Sequence, residues 1–172
     1  MAVALWGAAG AAQAIEPYLM SFGVLGGIGG PVDAAAPDPG IDQEVLQLQV
    51  GMLTEPRTLV VLRVGRIEMD DDAQLGELSG PSLEYATIAG EYRFFKEWYD
   101  SGIFLGLGGY RLQGDRGGRA DDDTAVGVTL GVTGEIEMTQ MFSVVAEVAG
   151  HWADLDANQL FAAGQVGLAV KF

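Results

Sequence analysis

Residues 160–172, "LFAAGQVGLAVKF", alternate with a period of two from end to end. Ala162, Gly164, Val166, Leu168, Val170 and Phe172 form one wholly apolar set. Phe161, Ala163, Gln165, Gly167, Ala169 and Lys171 form the other, which carries the polar side chains. Successive side chains on a strand point to opposite faces, so this is a strand with one continuous apolar face.

The same rhythm runs backward through the chain. Beyond Pro17 the period is two almost everywhere, and no segment sustains a helical stripe. The alternation predicts eight strands, near 18–28, 44–54, 58–69, 83–95, 103–113, 124–137, 141–152 and 160–172. Long and short connections follow each other strictly. "GGPVDAAAPDPGIDQ", "DDDAQLGELSGPS", "GDRGGRADDD" and "ADLDANQ" are long and polar, whereas "TEPR", "KEWYDS" and "MTQ" are tight. Four loops at one end, with three turns and both termini at the other, predict an all-β fold: an eight-stranded antiparallel up-and-down barrel.

Composition narrows the setting. The 172 residues are 49% hydrophobic, yet carry 24 acids against 9 bases, a formal charge of −15, and 26 glycines. A chain this acidic offers no basic face for phosphate contacts, which excludes nucleic acid as a partner. The absence of cysteine excludes disulfides and thiolate metal sites. No apolar run reaches the ~18 residues of a membrane-spanning helix. The opening "MAVALWGAAGAAQA" is short and closes on Ala12-Gln13-Ala14, as do the apolar part and cleavage site of a secretory signal, although basic residues are missing from its start. Residues 1–14 are therefore read as the remnant of a signal peptide, and 15–172 as the barrel.

The two faces differ in kind as well as polarity. In strand six Val126, Val128, Leu130, Val132, Ile136 and Met138 oppose Thr129, Thr133, Glu135 and Glu137, with Gly127 and Gly131. The apolar set is bulky and uniform, while the polar set is rich in small residues with a few charges. This predicts an inside-out barrel that spans a membrane, with its backbone groups satisfied by closure. Arg63, Glu91, Arg93, Glu135, Glu147 and Lys171 are then inward and must pair, because an unpaired buried charge is costly. The expectation is an ionic network plugging a polar lumen. Tyr18, Tyr92, Phe94, Phe142 and Phe172 fall outward near the short-turn end, as an aromatic girdle. Arg66 shares a face with Val60, Leu62 and Val64, which places it near headgroups or at a bulge.

With these features the chain resembles the small eight-stranded outer-membrane barrels of Gram-negative bacteria, the opacity, Ail and OmpA-membrane-domain kind. The resemblance covers everything after Ala14 and rests on the strand count, the loop alternation and "GQVGLAVKF" ending in Phe172. It implies a bacterial outer-membrane location and contact with outer-membrane lipids and lipopolysaccharide. It also implies assembly by the barrel-assembly machinery, the terminal aromatic strand resembling its signal, and a monomer. The implied role is structural or surface-interactive: envelope integrity, adhesion or binding through acidic extracellular loops.

Two alternatives stand beside it. Relatives of this architecture include a deacylase and a palmitoyltransferase that remodel lipid A with serine and histidine. Here the single histidine, His151, shares a strand face with Ser143 and Glu147, but eight residues at ~3.3 Å each separate it from the serine by about 26 Å. The deacylase's His-x-Ser-Asn is absent, since Trp152, Ala153 and Asp154 follow His151. The other alternative, a soluble ligand-binding barrel, would place the bulky apolar set inside. No catalytic residue, metal ligand or cofactor is expected. Asp154-x-Asp156-x-Asn158 starts like a calcium loop but lacks its glycine and distal glutamate. Divalent cations or another surface ligand at the acidic loops complete the expected partners.

Overall fold

The computed structural model describes residues 19–32, 41–70, 75, 78–96 and 99–172. The stretch 1–14 read as a signal remnant, and Tyr18, lie outside the described residues. Eight strands follow in order: β1 (Met20–Pro31), β2 (Gln43–Glu55), β3 (Thr58–Glu68), β4 (Leu78–Phe95), β5 (Asp100–Arg116), β6 (Arg119–Glu137), β7 (Phe142–Ala153) and β8 (Leu160–Lys171). Each pairs antiparallel with its sequence neighbours, and β8 closes on β1 with Val24 opposite Leu168 and Ser21 opposite Lys171. "LFAAGQVGLAVKF" is thus the stave that seals the barrel, and closure leaves no open edge around the wall.

The pleat sorts side chains as the alternation requires. Leu46, Leu48, Val50 and Met52 of β2 are exposed, while Gln43, Val45, Gln47 and Gln49 between them are buried. The same holds on every stave, so a belt of Val, Leu, Ile and Phe faces outward all the way round. Leaving one such side chain in water forfeits about 1.5–3 kcal/mol, and a continuous belt far exceeds the apolar patches that water-soluble monomers carry. The belt requires an apolar solvent. With the backbone groups of the wall paired between strands, this is a transmembrane β-barrel.

Three staves rise further than the alternation predicts. β4 starts at Leu78 rather than near 83, because a register shift between Ser79 and Ser82, with Gly80 at φ 54°, carries the strand across Pro81. The segment "GDRGGRADDD", expected as a long loop, is instead the tip of a β5–β6 hairpin. Gln113 pairs with Asp122, Gly114 with Asp121 and Asp115 with Ala120, and the turn itself is only Gly117-Gly118. Glycine and aspartate are poor strand formers, which is why the stretch reads as a loop. Turn chemistry overrides that preference: φ values of 60° and 79° at the two glycines suit the two-residue turn that matches strand twist. Arg111–Asp122 at 3.2 Å and Arg116–Asp121 at 3.3 Å tie the exposed hairpin across its face. Beyond Gly127 the hairpin stands clear of β7, whose pairing with β6 begins at Ala153.

Arg66 is in regular register, opposite Leu46 and Glu84, with no bulge at this position. It points outward near the upper end of β3, 3.5 Å from Glu68. Here "upper" denotes the hairpin end and "lower" the end with the short turns.

Candidate functional site in the barrel lumen

The interior has two tiers. The lower tier is built from the charged residues of the inward set. Arg63 on β3 bonds Glu91 on β4 at 3.0 Å and Glu147 on β7 at 2.9 Å. Arg93 pairs with Glu91 at 3.0 Å and with Glu135 on β6. Lys171 on β8 reaches Glu135 at 2.6 Å and Glu137 at 2.7 Å. All six residues singled out by parity therefore meet in one network. Arg63, Arg93 and Lys171 face three buried carboxylates, Glu91, Glu135 and Glu147, so the buried charge balances; Glu137, half exposed, closes the lower mouth.

Neutral residues on the same parity extend the network. Thr133 donates to Glu91 at 3.1 Å, and Gln47 donates to Glu147 at 3.1 Å. Tyr85 donates its phenol to Gln47 at 2.8 Å. A continuous polar line thus runs from Tyr85 through Gln47, Glu147, Arg63, Glu91, Arg93, Glu135 and Lys171 to Glu137. Phe104 lies under Arg63, its ring centroid 4.0 Å from the guanidinium carbon, a cation–π contact that charge pairing alone does not foresee.

The upper tier departs from the expected polar lumen. Val45, Ile67, Met69, Leu75, Leu78, Leu83, Leu112, Leu155 and Phe161 are buried against one another there, with Tyr85 and Tyr110 at their base. This is a hydrophobic core of the water-soluble kind, set inside the hairpin end. It forms because the inward parity becomes bulky and apolar toward that end, with Ile67 on β3, Met69 just past its end and Phe161 on β8. Loop residues Leu75 and Leu155 cap it.

His151 sits at the junction. It is buried, its Nδ1 is 3.1 Å from the Tyr110 hydroxyl, and its ring lies 4.7 Å from that of Tyr85. Ser143 is buried on the same stave, eight residues lower and far beyond proton-transfer distance. Among the described residues no group of three or more histidine, aspartate or glutamate side chains is arranged to hold a metal ion. Of the girdle residues, Tyr92, Phe94, Phe142 and Phe172 all project outward at the lower end, Tyr92 and Phe94 edge to face at 5.1 Å. Phe22, not singled out in the sequence, points outward directly opposite β8's Val170. Trp152 projects outward at the upper end.

The closed eight-stave wall, apolar outside and sealed inside, defines the class: the fold of the small eight-stranded outer-membrane barrels. The chain superposes on Neisserial surface protein A with a TM-score of 0.73 at 12% identity, covering 89% of this chain and 97% of that one. It matches the N-terminal barrel domain of Pseudomonas aeruginosa OprF with a TM-score of 0.62 at 11% identity, over 88% and 97% of the two chains. For Ail, the attachment invasion locus protein of Yersinia pestis, the TM-score is 0.57 at 14% identity, over 90% and 97%. Ail has also been solved in complex with the heparin analogue sucrose octasulfate. No protein-family model matches the sequence, and no curated protein does.

Proposed function

We propose that this chain is a bacterial outer-membrane barrel, its short turns toward the periplasm and its hairpin end outside, with a structural or surface-interactive role rather than an enzymatic one. The observation that carries the reading is the two-tier lumen. An eight-stranded interior is just wide enough to be filled by side chains, and here ion pairs fill the lower part and an apolar core the upper. Such a barrel transmits nothing through its centre, so its contribution lies in its wall and its outer end. A lipid-A-modifying activity would need a serine–histidine pair, and β7 holds Ser143 and His151 apart.

The outer end carries Asp42, Asp70, Asp115, Asp121, Asp122 and Asp156, with Arg116 and Arg119 at the hairpin tip. That charge opposes a polyanion such as the heparin analogue seen with Ail, and suits a basic partner or divalent cations. Two measurements test the reading. In detergent or vesicles the purified protein should migrate differently on a gel before and after boiling, and a chain that stays monomeric without detergent contradicts the membrane placement. Replacing residues 113–122 by a two-residue turn should preserve that heat-dependent shift while removing cell-surface binding, and unchanged binding contradicts a role for the hairpin.

A further inference from the structure

The methionines are not spread evenly over the barrel. Of the six in the chain, Met1 lies outside the described residues and Met69 is buried in the upper core, only 5% accessible. The other four, Met20, Met52, Met138 and Met141, are all exposed at the lower end. They also adjoin one another. Met138 and Met141 bound the turn between β6 and β7, and the Met141 carbonyl accepts from the Lys171 backbone N–H at 2.8 Å. On the other side of β8, Met20 exchanges both backbone hydrogen bonds with Phe172, at 2.9 and 3.0 Å, and faces Met52 directly across β1 and β2. The four residues thus form one arc along the lower rim, two on each side of the strand that closes the barrel.

The rest of the belt is built of Val, Leu, Ile and Phe, which mild oxidants leave alone. A thioether packs like them, but its sulfoxide is polar. Met20 and Met52 are the lowest apolar residues of the outward parity within β1 and β2, since Thr54 below Met52 is polar. The outward row above them is Phe22, Val50 and Val170, which lie opposite one another. Oxidation of Met20 and Met52 therefore raises the lower boundary of the belt by two residues, about 7 Å along the strand. Met138 and Met141 become polar at the same level. The lower ends of β3, β4 and β5 carry no thioether, so the belt shortens on one side only.

Resting on the membrane placement above, we propose that the lower rim beside β8 is a reversible oxidation site for hydrogen peroxide. A lone pair on the thioether sulfur attacks one peroxide oxygen, and the O–O bond breaks as the S–O bond forms. The departing hydroxide takes the proton from the transferred oxygen and leaves as water. Sulfur is oxidised by two electrons and the peroxide is reduced by two. Two thiols reverse the step, ending as a disulfide while the oxygen leaves as water. With its belt shortened on one side, the oxidised barrel fits a thinner bilayer than the reduced one.

The test treats the whole protein, folded in vesicles, with hydrogen peroxide and follows each methionine by peptide mass spectrometry. Met20, Met52, Met138 and Met141 should each gain one oxygen several-fold faster than Met69. Equal rates at all of them, or no uptake at the four, overturns the proposal. Urea unfolding of the oxidised protein is then compared in dilauroyl and in thicker dimyristoyl phosphatidylcholine vesicles. Oxidation should lower the folding equilibrium constant about tenfold more in the thicker bilayer. The same loss in both overturns the shortened belt. Methionine sulfoxide reductase with dithiothreitol should restore the starting stability, and a loss that persists once the sulfoxides are gone overturns reversibility. The variant Met20→Leu, Met52→Leu, Met138→Leu, Met141→Leu keeps the rim apolar and should show no peroxide-dependent loss, whereas a loss equal to that of the unaltered protein overturns the assignment to these residues. The first measurements need only the unaltered chain, so poor folding of the variant leaves them decisive. Failure of the unaltered protein to enter vesicles at all would strike the membrane placement, whereas entry with uniform oxidation would strike this site alone.

Discussion

Glu147→Gln should expose how tightly the lower tier is balanced. Glu147 accepts from Arg63 at 2.9 Å and from Gln47 at 3.1 Å, and both charged side chains are essentially inaccessible. Removing its charge leaves three buried cations facing two buried carboxylates. Breaking a buried pair from one side costs about 3–5 kcal/mol, because the stranded charge keeps its desolvation penalty. Arg63 retains Glu91 at 3.0 Å, so the lower end of that range applies. Arg63→Met alone creates the opposite imbalance. Together the two substitutions leave Arg93 and Lys171 against Glu91 and Glu135, again neutral. The double variant should therefore be less destabilised than the sum of the singles, by about 2–3 kcal/mol of coupling. Urea unfolding in lipid vesicles, followed by tryptophan fluorescence and the heat-dependent gel shift, measures all four corners of the cycle. Strict additivity, or a loss below 1 kcal/mol for Glu147→Gln, would refute the view that charge balance organises this tier.

Other outcomes follow from the same packing. Phe161→Ala should cost about 3–5 kcal/mol in the same unfolding assay, since it empties the centre of the upper core. Gly65→Ala should cost about 1–3 kcal/mol, because its β-carbon would run into the Tyr85 phenol, and Tyr85→Leu should relieve part of that cost. Planar bilayers containing the unaltered protein should show no discrete conductance steps, and reproducible steps would contradict a sealed lumen. Gly118→Val should loosen the hairpin tip, read as faster protease cleavage near residue 118 with the barrel intact, since a β-branched residue is strained at φ 79°.

Most of the barrel was legible because a period of two assigns each side chain to a face without reference to its height. Parity alone brought Arg63, Glu91, Arg93, Glu135, Glu147 and Lys171 inside, and the structure joins them in one network. What parity does not give is position along the barrel axis. Phe161, Ile67 and Leu83 share their faces with charged residues, so the inward set reads as polar on average. Strand stagger gathers the apolar members at the hairpin end. The hairpin was missed for a different reason: Asp121, Asp122 and Asp123 argue against a strand one residue at a time, and only their pairing with Gly114, Gln113 and Leu112 makes them one. The outward row of Arg66, Glu84 and Arg111 was equally hidden, because these residues come together through register across three staves.

The raised part of β6 has one further consequence. Over Arg119–Val126 it is bonded to β5 on one side and, among the described residues, has no strand neighbour on the other. A bare edge of that length, standing above a membrane crowded with similar molecules, is a template on which a second copy could add a strand. Asp121, Asp122 and Asp123 place three like charges along it, and Asp123 also accepts the Asp156 backbone N–H at 2.7 Å, drawing the neighbouring loop over the strand's lower part. Two such edges approaching each other would bring six carboxylates together against the four arginines, Arg111 and Arg116 of each copy, that pair with Asp122 and Asp121. The hairpin can therefore stand out from the surface and still keep identical neighbours apart.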